Sequence, residues 1–410
     1  MNLTPDSTVL IATFSPWKNG IRLPINGNVE PMIDFFTPRV RKTVLIDQVY
    51  PGSDTVLPRI EVYEKKKRIK ILSSSWVVRI LEPFLKTVNK DGTHIVFKIR
   101  DFLSVLDWSF RSNESYDFYI GFESVNALAG VLLKKFGKVS TVIYYVSDYS
   151  PNRYQNKVFN WFYLRLDRMA ARYADVIWDV SPAMQPARMS VGLDPAKSAP
   201  VLVVPNALYP KQIRSESIER IFHHTIVFMG TLGEENGPDI AIKAMTSVIK
   251  TFPDAVLNIV GGGNTDMKRL KDLVSNLKLK KFVVFHGFIS DRLKISSLIR
   301  RFQIAVAPYK RIAGSARLYG DATKIRAYLA AGLPTITTDV PPLGKTVESA
   351  GAAIIVSDTP EGLVRGVEQL FKNETFFIKM KAQAIKFAKD NTWDKEYTQA
   401  FKVMSKLKNS

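Results

Sequence analysis

The sequence predicts an α/β protein built from two domains with parallel sheets. Three observations carry that prediction. Short apolar runs of strand length alternate with helix-length segments along the whole chain. The alternation lapses for about a dozen polar residues, KQIRSESIERIFHH, and then restarts. And 410 residues exceed what one hydrophobic core usually organises.

In the first half the strands are STVLIATF, TVLIDQVY, HIVFKI, DFYIGF, STVIYYV, DVIWDVS and VLVVP, with the clearest helices at VNALAGVLLKKFG and NKVFNWFYLRLDRMAARYA. In the second half they are TIVFMG, AVLNIVGGG, FVVFHGF, IAVAPY, PTITTD and AAIIVS. The polar stretch at 208–222 reads as a linker between domains at 1–207 and 223–385, with 386–410 following as a C-terminal segment. In GDATKIRAYLAAGLPTI, Asp321 reads as a helix N-cap, Ile325 and Leu329 as a core stripe, and Gly332 with Pro334 as the stop. Lys324, Ala327, Tyr328 and Ala331 share the adjacent, mostly small face.

Composition excludes several classes of chemistry. The sequence has no Cys, so disulfides, thiol nucleophiles and Cys-ligated metal centres are ruled out. His94, His223, His224 and His286 show no metal-ligand spacing, and no metal is expected. The N-terminus lacks a basic segment followed by an apolar run, and no stretch reaches the roughly 18 apolar residues of a membrane span. A cytoplasmic protein is expected, soluble or peripheral at a membrane face. The net charge of +20 predicts attraction to polyanions: nucleic acid, anionic lipid headgroups or phosphorylated small molecules. RNA-binding signatures are absent, so no nucleic-acid partner is expected. The densest basic run, EKKKRIKILSSSWVVRILEPFLK at 64–86, is either a membrane-facing segment carrying Trp76 and Phe84 or a solvated basic face.

Two glycine-rich loops point to an anion site. AVLNIVGGGNTDMKRLKDLV is a strand, Gly261, Gly262 and Gly263, then a helix whose N-terminal N–H groups suit a phosphate; the alternative is a plain turn. It is not GxGxxG, which disfavours a nicotinamide or flavin dinucleotide, and no cofactor is expected. FMGTLGEENGPDIAIKAM repeats the layout with Gly230, Gly233 and Gly237, as a second arm of the anion site or as a plain βα loop with Pro238 opening its helix. In the first half, a loop with Asn19, Gly20 and Gly27 follows the first strand. Asp148 ends another strand, as a cap or as a catalytic carboxylate.

With these residues on the page, the chain resembles the GT-B glycosyltransferases of family 4. LNIVGGGN, VVFHGFIS, IAVAPY and TKIRAYLAAGLPTITTD occur in that family's order, ADVIWDVSPAM and LVVPNAL resemble the end of its first domain, and NTWDKEY resembles its final helix. The resemblance implies two Rossmann-like domains facing a central cleft, with 386–410 crossing back to the first domain. It also implies metal-independent, retaining transfer from a nucleoside-diphosphate sugar held by the second domain to a glycan or lipid-linked acceptor held by the first. The implied donor contacts are Gly230, Thr231, Asn236, the three glycines, Phe288 (whose backbone would read the base), Thr323, Lys324 and Tyr328.

The departures are specific. Where the family carries Arg and Lys on the diphosphate, this sequence has Thr231 and Asn236; where it carries two Glu, this sequence has Tyr319 and Ala327; and the Gly after the Asn is Ala207. The expectation is that Lys324 replaces the missing cations, with Asp321 either holding a sugar hydroxyl or only capping the helix. Lys324, Asp321 and Asp148 are therefore the candidate catalytic residues. The competing expectation is a sugar-nucleotide-binding or scaffold protein without turnover. An epimerase or phosphorylase is disfavoured because no clear acid–base set is present.

Overall fold

The computed structural model describes residues 2–23, 27–73, 76–88, 94–262, 264–289 and 291–407; Gly263 lies outside them, as do the side chains of Trp76 and His94. The chain forms two compact units, the first of residues 1–204 and 397–410, the second of residues 205–396.

The first unit contains strands β1 (Thr8–Ser15), β2 (Trp17–Lys18), β3 (Ile21–Arg22), β4 (Lys42–Val49), β5 (Arg59–Glu64), β6 (Lys67–Ser73), β7 (Tyr116–Phe122), β8 (Val139–Val146), β9 (Val176–Asp179) and β10 (Val201–Val203). Its helices are α1 (Val29–Phe36), α2 (Trp76–Ile80), α3 (Glu82–Val88), α4 (His94–Arg111), α5 (Glu123–Lys135), α6 (Lys157–Tyr173) and α7 (Met184–Ser190). The main sheet runs β10-β9-β8-β7-β1-β4-β5-β6. The run from β10 to β4 is parallel, and its strands are apolar almost throughout because helices cover both faces.

Two expectations are corrected here. HIVFKI is not a strand but the opening of α4. Phe97, Arg100, Asp101, Ser104 and Val105 are buried at helical spacing, so the helical period sustained over 18 residues overrides the local β-branched residues. The sheet is also not wholly parallel: β5 and β6 extend it antiparallel from β4. Their turn is Lys65–Lys66, with φ of 48° and 70°. Both residues adopt the left-handed geometry of a tight hairpin without the Asn or Gly that normally announces it.

The second unit contains β11 (Phe222–Met229), α8 (Pro238–Thr251), β12 (Val256–Val260), α9 (Asn264–Asn276), β13 (Val283–Gly287), α10 (Arg292–Ile299), β14 (Phe302–Ala307), α11 (Thr323–Ala330), β15 (Thr335–Thr337), α12 (Leu343–Ser349), β16 (Ala353–Ile355), α13 (Pro360–Lys372) and α14 (Glu374–Asp390). Its sheet is fully parallel in the order β13-β12-β11-β14-β15-β16. That is the doubly wound arrangement, with its reversal between β11 and β14. Residues 208–222 lie inside this unit: Leu208 and Ile221 are buried in its cores, and the Arg214 N–H donates to Ala330 O at 2.9 Å.

Helix α15 (Trp393–Leu407) belongs to both units, dividing before Tyr397. Beyond that point Tyr397 stacks on Trp178, and Phe401 meets Phe35, Phe36, Phe118 and Trp178 in the first unit's core.

Candidate functional site

Ligands of doubly wound sheets sit outside the C-terminal strand ends where the strand order reverses. In the second unit that place is framed by the loop after β11 and the loop joining β14 to α11. Gly230 follows β11 with φ +131°, and Gly261 follows β12. A Cβ on Gly261 would lie 2.1 Å from the carbonyl oxygen of Gly230, so the two loops meet only because no side chain separates them. Their N–H groups are already spent: Gly230 donates to Val260 O at 2.9 Å and Gly261 to Gly287 O at 3.0 Å. The two glycines bring the loops together and offer no free N–H of their own there.

Lys324 is the cation at that junction. A Cβ on Gly230 would lie 3.2 Å from its Nζ, which shows how closely the amine covers the loop. The ammonium donates to Asn236 Oδ1 at 3.3 Å and lies 4.6 Å from the ring centres of both Phe228 and Tyr309. Asn236, itself buried, donates from Nδ2 to Thr231 Oγ1 at 2.9 Å. Thr231 and Asn236, the two uncharged departures, are thus linked to the lysine that supplies a charge. Burial, with the neighbouring Arg317 guanidinium adding repulsion, pushes the amine down to about 7 against the pull of Glu235.

The remaining candidates separate. Phe288 stands just past the end of β13 with its side chain 78% exposed, and a Cβ on Gly262 would lie 2.7 Å from its own Cβ. Thr323 is exposed at the first turn of α11. Asp321 does not cap the helix: the N-cap is Ala322, without a side-chain cap bond. The Asp321 carboxylate instead accepts from Arg326 at 2.9 and 3.2 Å and from the Asn206 N–H at 2.9 Å, with its side chain 3% exposed. It is a buried structural ion pair. Tyr328 is likewise no wall of the site. It is fully buried, its hydroxyl accepts from the Met229 N–H at 2.6 Å, and it ties β11 to the helix.

A clip that sequence reasoning missed shapes the same junction. Glu235 accepts from Ser315 Oγ at 2.7 Å and Arg317 Nε at 3.1 Å, while the Lys310 amine bridges Glu234 at 3.1 Å and Asp239 at 2.9 Å. These bonds fasten the β14–α11 loop to the turn at 234–236. The departures Tyr319 and Ala327 are both half-buried.

In the first unit, Asp148 is exposed and paired with Arg153 Nη1 at 3.0 Å. Asn19 and Gly20 do not lie in a long open loop. With φ of 52° and 72° they form the two-residue turn of the β2–β3 hairpin, held by Arg22, which bonds Asp47 at 2.7 Å and Glu61 at 2.8 Å. Glu123 is the residue the sequence did not single out. It starts α5 at the C-terminal end of β7 with φ +63°, is buried, and faces Ser147 Oγ at 3.5 Å. Burial raises its carboxyl pKa, and Arg153 and Lys98 oppose that rise. A strained, buried carboxylate at a strand's C-terminal end makes Glu123 a candidate functional residue.

The geometry agrees with what the chain matches. Residues 215–391 match the family model described as glycosyl transferases group 1. The matched residues lie within the second unit, which is similar to that family over this stretch. Three solved structures extend the likeness over the whole chain. HepE from Anabaena, solved in complex with UDP, has a TM-score of 0.67 at 13% identity, covering 97% of this chain and 100% of that one. Sucrose-phosphate synthase from Thermosynechococcus elongatus gives 0.68 at 12%, over 98% and 99%. The lipopolysaccharide outer core galactosyltransferase WaaB, in its apo form, gives 0.65 at 14%, over 97% and 99%. At such identities the likeness is one of fold, and that fold is GT-B. No curated protein matches the sequence. The Gly230 and Gly261 loops, Lys324 and the Glu235 clip all lie within the matched residues 215–391. Among the described residues, no group of three His, Asp or Glu is placed to hold a metal, and no helix is long and apolar enough to cross a membrane.

Proposed function

We propose that this protein is a retaining glycosyltransferase that moves a sugar from a nucleoside diphosphate to a hydroxyl of a glycan or lipid-linked acceptor, without a metal at the site. The second unit holds the donor and the first unit the acceptor. The observation that carries this reading is the Lys324 ammonium, held by Asn236 beside the glycine junction at the point where the strand order reverses. As the bond from the sugar to the diphosphate breaks, negative charge develops on the leaving oxygen, and a preorganised cation stabilises it. The depressed amine pKa suits that task, because an incoming diphosphate draws the proton back. Glu123 and Asp148 stand at strand ends of the acceptor unit, and the exposed Phe288 ring offers a surface beside the nucleoside.

The acceptor is met at the cytoplasmic face of a membrane. The +20 charge supports this, as does the basic segment at 65–86, on which Ile69, Ile71, Ile80 and Phe84 are exposed.

A thermal-shift screen tests the donor reading, led by UDP-sugars because HepE was solved with UDP and with UDP-glucose. GDP-, ADP- and dTDP-sugars follow. One nucleotide class is expected to raise the melting temperature of the protein and to leave Lys324→Ala unmoved. A shift that Lys324→Ala retains overturns the assignment of the lysine. The absence of carboxylates at Tyr319 and Ala327 favours a second reading, donor binding without turnover. A donor shift with no sugar transferred to any tested acceptor selects it.

A further inference from the structure

Helix α6 turns large apolar side chains outward. Val158, Phe159, Trp161, Phe162, Met169 and Tyr173 are each between 39% and 60% exposed, whereas a surface helix normally turns such residues toward its core. The inward side is filled by Asp167, Ala170 and Ala171, so the outward aromatics are not core residues displaced by packing. Cations alternate with them. Arg165 lies 5.8 Å from the Trp161 ring and Arg172 5.6 Å from the Tyr173 ring, while Trp161 and Phe162 meet edge to face at 4.9 Å. Lys157, Arg165 and Arg172 are exposed, and among the described residues none of them pairs with a carboxylate. The helix's single acid, Asp167, is buried and bound to Arg188 and Tyr144. The outward face therefore carries rings and positive charge and no negative charge.

That combination fits an anionic bilayer surface: the rings settle at headgroup depth, and the guanidinium and ammonium groups meet lipid phosphates. From Val158 to Tyr173 the stripe is about 22 Å long, enough for the helix to lie along the surface. It continues past Tyr173, which lies 5.8 Å from the Lys135 amine, to the exposed Phe136, whose ring meets Phe110 at 5.5 Å.

We infer that α6 lies flat on an anionic lipid bilayer, with Trp161 and Phe162 seated among the headgroups and the loop carrying Asp148 and Arg153 held at the bilayer surface. This inference rests on the membrane part of the proposed function and names the surface that makes the contact; it is independent of the donor reading, since vesicle binding is measured without nucleotide sugar or turnover.

The test is flotation of the whole protein with vesicles of equal parts phosphatidylglycerol and phosphatidylcholine, beside vesicles of phosphatidylcholine alone. Binding to the anionic vesicles only, weakened by high salt, is expected. Trp161→Ser with Phe162→Ser, and separately Arg165→Glu with Arg172→Glu, should each weaken it by about tenfold or more with an unchanged melting temperature. The charge pair keeps the test decisive should the aromatic pair fail to fold. No binding to anionic vesicles overturns the inference. So does binding that both α6 variants retain but Ile80→Ser with Phe84→Ser abolishes, which would move the contact to the basic segment. Self-association in solution that Trp161→Ser abolishes would assign the face to a second copy of the chain. Binding to an RNA oligomer that the α6 variants abolish, with none to vesicles, would assign it to nucleic acid.

Discussion

Lys324 carries its charge in surroundings that resist it, and two measurable consequences follow. In the unfolded chain a lysine titrates near 10.4, and here the amine sits at about 7. Between those values the unfolded chain holds more protons, so the cost of Lys324 is complete below about pH 7 and is relieved as pH rises toward 10. Lys324→Met is therefore expected to melt higher than the parent at pH 6, with the difference shrinking by pH 9 and no response to nucleotide sugar; a scan across pH checks all three. Donor affinity should fall by on the order of tenfold from pH 6 to 8.5 as the amine loses its proton, and titration calorimetry on Lys324→Arg should give a nearly flat profile. Glu123 makes a parallel case in the first unit. A non-glycine residue at φ +63° costs about 1 kcal/mol or more, and Asn tolerates that geometry better. Glu123→Asn should melt higher while transferring sugar more slowly, and a variant that melts lower removes the strain argument. The sequence pointed to Lys324 through its helix face and to the glycines through their spacing. It did not point to Glu123, because a positive φ has no signature outside Gly and Asn. Nor did it show the Glu235–Arg317 bond, which joins residues 82 apart.

At the scale of elements, the strands of the second unit were legible because parallel strands covered on both faces read as unbroken apolar runs. The first unit hid two features. HIVFKI carries strand-forming residues, and only the longer period through Phe97, Arg100 and Ser104 reveals a helix. The β5–β6 hairpin turns on two lysines and so lacks any turn signal. Lys65→Asn with Lys66→Gly should stabilise the first unit by roughly 1 kcal/mol by fitting the residues to the turn they already make; urea unfolding measures this. The Arg188 guanidinium, buried between Asp179 at 2.6 Å and Asp167 at 3.1 Å, binds α6, α7 and β9 together. Arg188→Met should cost about 3–5 kcal/mol, since it leaves the Asp179 carboxylate buried without its cation and Asp167 with only the Tyr144 hydroxyl. A smaller loss would mean that water reaches that layer.

At the scale of the molecule, the first unit draws its core from both ends of the sequence: Phe401 and Tyr397 fill the space against Phe35 and Trp178. Phe401→Ala should lower the stability of the first unit by about 3–5 kcal/mol and leave the nucleotide-sugar response of the second intact. Calorimetry of the variant should then separate two transitions, with the first unit melting below its temperature in the parent scanned under the same conditions. The same arrangement orders events during synthesis. A chain emerging from the ribosome presents residues 1–204 first, yet their core lacks its closing aromatics until the entire second unit has been made. The second unit, continuous from 205 to 396, has all its strands and helices available before then. Translation thus completes the second unit before the first, and the helix that follows it seals residues made some two hundred positions earlier.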